Sequence, residues 1–174
     1  QAARISGGRP GLAVALATEP AVAAFRDAWL GVPEKLTDHP GDAYRLVTEV
    51  LDATEPLLSA VKRRQEHETE TEFPEGNVPK NIVERQQREV ARASDALYAT
   101  GLELLATFYR DTAAAQFGAP VQNTDIPAAS LTRVTSTVAL ENAQRVLETI
   151  GALKANQRPQ LALATLFIDL GADG

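Results

Sequence analysis

The chain has 174 residues, 44% hydrophobic but only 5% aromatic, with a net charge of −6 and a pI near 5.0. That length suits one ordinary domain with a real core, because folding at this size buries roughly 70% of the surface of the unfolded chain. The acidity argues against a domain whose main task is coating nucleic acid. The absence of cysteine removes disulfides, thiolate metal sites and cysteine nucleophiles, and fits the cytoplasm.

Prolines and glycines divide the sequence into segments. Ser6-Gly7-Gly8-Arg9 reads as a turn, with Pro10 in the first position of a short apolar helix through Leu12, Val14, Ala15 and Leu16. Thr18 is expected to cap a second helix, whose Val22, Phe25, Trp29 and Leu30 face one way before Gly31-Val32-Pro33 stops it. Asp38 or His39 before Pro40 opens a third. Its inward stripe is Tyr44, Val47, Leu51 and Leu58, widened by Leu46, Val50, Leu57 and Val61. Pro56 predicts a kink or break there, with Thr54 as a new N-cap. The charged stretch from Lys62 to Gly76, with Glu66, Glu68, Glu70 and Glu72, reads as a frayed end and a mobile loop.

From Val78-Pro79 to about Phe117 no residue breaks the pattern, so one very long helix is expected, striped by Val90, Ala93, Leu97, Gly101, Leu104, Phe108 and Ala115. Its first third has only Ile82 and Val83 to bury and should project beyond the bundle. Gly118-Ala119-Pro120 ends it. Asp125 and Pro127 are expected to open a fifth helix carrying Leu131 and Val134. Ser136 or Thr137 should cap a sixth, with Glu141 in its first turn and Val138, Leu140, Val146, Leu147, Ile150 and Leu153 as core candidates. After Asn156-Gln157-Arg158-Pro159 a last helix, Gln160 to Leu170, is apolar most of the way round and needs neighbours on more than one face. No strand pattern or internal repeat appears. The fold class is all-α, a helical bundle.

Chemistry is sparse. His39 and His67 cannot build a metal site with each other, and the Glu66–Glu72 cluster lacks a rigid frame, so no metal or other cofactor is expected. No serine has a histidine at motif spacing, and the Gly-rich turn lacks the P-loop lysine, so neither catalytic nor nucleotide-binding residues can be named. Arg85, Arg88 and Arg92 share a face of the long helix and could touch phosphate, with Lys62, Arg63 and Arg64 near them if two helices form a hairpin. Glu84 and Glu89 are interleaved, which favours a solvated charged face. No stretch approaches the ~20 apolar residues of a membrane span, and no signal-peptide cleavage pattern follows the N-terminus.

Three segments together resemble a known family. Residues Ile5 to Ala17 (Ile-Ser-Gly-Gly-Arg-Pro-Gly-Leu-Ala-Val-Ala-Leu-Ala) look like the end of the lid domain in bacterial clamp-loader subunits of the DNA polymerase III delta-prime family. Leu104 to Asp111, followed by Gln116 to Ala119, resembles a segment of that family's C-terminal region. Asn156 to Leu166 is similar to its N-x-x-P-x-L-A-L-E-x-L ending, departing at Ala164, where Glu is common. The charged insertion between Glu66 and Pro79 is most like actinobacterial versions.

The resemblance implies that residues 1–18 end an AAA+ lid and residues 19–174 form a clamp-loader collar. It also implies an excised piece whose ATPase-like module lies upstream, an expectation that Gln at position 1 supports. Gly11 falls where active clamp-loader ATPases carry an arginine, with Arg9 as the alternative register, so no transition-state charge is stabilised from here. The implied function is a non-catalytic oligomerisation domain of DNA replication. It would hold gamma/tau and delta subunits through the collar, and would meet primed DNA and the sliding clamp only through the whole assembly. Gln160, Thr165 and Phe167 are expected to line the contact, Phe167 from the exposed side of the last helix. The alternative is a stand-alone helical adaptor that binds a protein or nucleic acid through its basic helix end.

Overall fold

The computed structural model describes residues 19–172, so Arg9, Gly11, the lid remnant and the Thr18 cap lie outside the described residues. Those described form six α-helices and one 3-10 turn, with no strand among them.

Helix α1, Pro20–Leu30, starts on proline at its first position and ends where Gly31 N–H bonds the Asp27 carbonyl. Gly31 does not end helicity outright, because the single turn α2, Val32–Lys35, follows. Helix α3 is Pro40–Glu72, capped by His39 Nδ1, which accepts from Gly41 N–H at 3.0 Å. Helix α4 is Lys80–Gln116, α5 is Ser136–Lys154 and α6 is Pro159–Gly171.

The expected break at Pro56 is absent. Proline removes only the hydrogen bond to the Asp52 carbonyl, and both residues face solvent, so that carbonyl is open to water. Thr54 caps nothing: it is buried, and its hydroxyl donates to the Val50 carbonyl at 2.7 Å. The expected mobile loop from Lys62 to Gly76 is likewise overturned, since α3 continues to Glu72. Instead of one very long helix there are two, of 33 and 37 residues, roughly 50 and 55 Å at 1.5 Å per residue. The glutamate-rich segment stays helical because it runs antiparallel to the start of α4 and trades polar groups with it. Arg64 reaches Glu89 at 2.8 Å, Gln65 reaches Glu89 at 3.0 Å, and Gln86 reaches Thr69 at 2.6 Å.

The core sits in the other half of these helices. Trp29, 0% exposed, lies at its centre, tilted against Phe25 at 6.2 Å and edge-on to Phe167 at 6.4 Å. Its indole rests on Gly101, where a Cβ would collide with the ring. Leu46 and Val50 from α3, Leu102 and Leu105 from α4, Val146 from α5 and Leu163 from α6 close around it. Tyr44, expected inside, is 60% exposed, because Ala43, Leu46, Val47 and Val50 take the inward positions of that turn.

Helix α4 ends with Gly118 at φ 67°. Ala119 N–H bonds the Ala114 carbonyl and Gly118 N–H the Ala115 carbonyl, a Schellman closure. Asn156, at φ 63°, closes α5 in the same way, through bonds from Gln157 to Ala152 and from Asn156 to Leu153. Between α4 and α5 the expected helix from Asp125 shrinks to the 3-10 turn Ser130–Thr132. Asp125 caps nothing there because its carboxylate is bound by Arg26 at 2.8 and 3.0 Å. The cap of α5 is Thr135, whose hydroxyl accepts from Val138 N–H at 3.3 Å, so Glu141 falls in the second turn. This phase buries Ala139, Asn142 and Val146 and leaves Leu140 and Leu147 exposed, against expectation.

Candidate partner interface

Two surfaces carry the residues the sequence singled out. The first is the outer side of α6. Phe167 is not on it: at 0% exposure it packs on Trp29 and belongs to the core. Complete burial of such a ring contributes roughly 1.5–3 kcal/mol to folding. The short helix has so many neighbours (α3 on one side, α5 on another) that its most apolar face is already taken. Gln160 and Thr165 are exposed as expected. Thr165 falls in a stripe at steps of four and three with Leu161, 58% exposed, and Ile168, 38% exposed. Beside the stripe runs a groove of about 210 Å³ between α5 and α6, where Arg145, Glu148 and Asp169 supply charge. Arg145 is held there by Asn142 at 3.0 Å.

The second surface is the hairpin arm formed by the C-terminal half of α3 and the N-terminal third of α4. Arg85, Arg88 and Arg92 are exposed on one side of it. The hairpin brings Arg64 to Glu89, between Arg85 and Arg92, and leaves Lys62 to pair with Glu55 at 3.1 Å on its own helix. On the arm's other side Lys62, Glu66, Glu70, Val83, Gln87 and Val90 border a groove of about 570 Å³. His39 and His67 stand at opposite ends of α3, one as its cap and the other exposed. Among the described residues no group of three or more His, Asp or Glu could hold a metal ion.

One buried polar cluster escaped the sequence reading. Arg26, 7% exposed on the apolar face of α1, donates to Asn123 Oδ1 at 2.9 Å as well as to Asp125. Asp111, fully buried on α4, accepts from the backbone N–H groups of Gln122 and Asn123 and from the Asn123 side chain, at 2.7–3.0 Å, and pairs with Arg110. A signal was present. The stripe of α4 steps from Phe108 to Ala115, and the missing intermediate position is filled by Asp111 and Thr112 rather than by an apolar residue. The cluster fastens the 117–135 loop to α1 and α4.

Two surface carboxylates are shifted by their neighbours. Hydrogen bonds from the Thr37 hydroxyl, at 2.6 Å, and from Arg45 hold Asp42 below the usual carboxylate range. Lys62 and Ser59 do the same for Glu55.

No family model, curated protein or solved structure matches the chain. No helix among the described residues is long and apolar enough to cross a membrane.

Proposed function

We propose that this chain is an oligomerisation domain of the clamp-loader collar type, which works by packing against the other subunits of a ring that loads a sliding clamp onto primed DNA in the cytoplasm. Residues 19–174 form the collar, residues 1–18 end a lid, and the domain itself carries out no catalysis. The observation that carries the reading is the stripe Leu161, Thr165 and Ile168. It places exposed aliphatic side chains on a helix whose other faces are buried, and Leu161 and Thr165 lie inside the Asn156–Leu166 segment that resembles the delta-prime family. Apolar contacts with few central charges are what lasting subunit interfaces use.

The test is co-purification of the chain, preceded by its upstream module, with gamma/tau and delta subunits. Leu161→Asp with Ile168→Asp should leave the melting temperature of the chain within a few degrees, since both side chains are exposed. The pair should abolish assembly, because an unpaired carboxylate would be buried in the contact. Undiminished assembly by the folded double variant rejects the stripe as the contact. Failure of the unaltered chain to join any such ring rejects the clamp-loader reading itself.

A further inference from the structure

The arginine side of the arm differs from an ordinary solvated helix face in how its carboxylates are used. Arg85, Arg88 and Arg92 follow one another at steps of three and four on α4, all exposed. The interleaved acids are already engaged. Glu89 is held by Arg64 at 2.8 Å and Gln65 at 3.0 Å, both reaching across from α3. Glu84 is shared between Lys80 at 3.7 Å and Arg88 at 3.9 Å. Arg85 and Arg92, four residues before and three residues after Glu89, engage no carboxylate among the described residues. Two guanidinium groups therefore stand on one side of a projecting arm, seven residues and about 10.5 Å apart along the axis, with Arg88 between them and Arg64 beside them.

We infer that this side of the arm is a binding surface for the phosphate backbone of a nucleic acid. Guanidinium is the side chain suited to bidentate phosphate contact, and a backbone presents its charges along a line, as this row does. An acidic protein fits less well. Lasting protein contacts need a buried apolar or aromatic anchor. The exposed large apolar side chain of the arm, Val83, instead borders the opposite groove with Glu66 and Glu70. Contact with phosphates is independent of base sequence and strongly salt-dependent. This inference stands on the arm alone and does not depend on the collar reading.

The experiment is fluorescence anisotropy of a labelled 20-base-pair duplex titrated with the 174-residue chain at 50 and 200 mM salt. Three phosphate contacts predict a loss of affinity of about 40-fold across that range. Arg85→Ala with Arg92→Ala should reduce the loss to about fourfold and leave melting unchanged. Lys154→Ala with Arg158→Ala removes the same charge outside the arm and should keep the 40-fold dependence. The inference is overturned by no binding at 100 μM chain in 50 mM salt, by an equal effect of the two double variants, or by a labelled glutamate-rich peptide that binds as tightly as the duplex.

Discussion

Helices α3 and α4 are each assembled by two different rules along a single length. In the body, roughly Pro40 to Leu58 and Gly101 to Gln116, they are held by apolar side chains that meet four other helices around Trp29. In the arm they meet only each other, and the seam is made of Gln65, Thr69, Gln86 and Glu89. Continuity of helix is therefore no guide to stability here. Body turns are cross-linked through the core and open only with the whole fold. Arm turns rest on a few exposed or half-buried hydrogen bonds worth about 1 kcal/mol each and open locally.

The largest effect that sharpens this contrast is expected at Asp111. Asp111→Ala leaves two backbone N–H groups and the Asn123 amide without their acceptor in the interior, and should cost about 4 kcal/mol of global stability, read by denaturant titration. A loss below 1 kcal/mol would mean that the loop closes without it. Next is Gly101→Ala, where the new methyl displaces the Trp29 indole. About 3 kcal/mol is expected, together with a changed tryptophan emission spectrum.

The arm should behave in the opposite way. Replacing 62–92 with a short glycine-rich turn should shift the melting temperature of the body by no more than a few degrees. In the intact chain, amides of 62–90 should exchange ~100-fold faster than those of 102–113. Equal protection in both halves would erase the distinction drawn here. The smallest effect concerns Asp42. Its carboxyl is depressed, so its stabilising bonds are present above the ordinary carboxylate range and are lost as pH falls through its folded value. Thr37→Val should raise its titration midpoint toward the ordinary range, followed by carboxyl NMR; an unmoved midpoint would leave Arg45 as the cause.

The all-helical class and the stops at Gly118 and Asn156 were legible because they follow from local backbone chemistry that neighbours do not alter. The same holds for the start at Pro40 with its His39 cap. What could not be read was set by partners distant in sequence. Glu66 to Glu72 looks like a loop until Gln86 and Glu89 are placed opposite that segment. Asp125 looks like a helix cap until Arg26 claims its carboxylate. Phe167 illustrates the limit of a pattern that is apolar on every side: periodicity cannot say which face finds the core when all faces qualify. The stripe Leu161, Thr165 and Ile168 is what remained once Trp29 had taken Phe167.

Pro56 lies at the root of the arm, two residues before Leu58, the last buried apolar residue of α3. A helix yields first where a rung of its hydrogen-bond ladder is absent, and here bending opens the proline side, which faces water. A lever with its softest turn at the fulcrum is therefore the expected behaviour of the arm. From Pro56 to Glu72 the lever is about 24 Å long, so a bend of ~10° sweeps its tip by roughly 4 Å while the core around Trp29 keeps its packing.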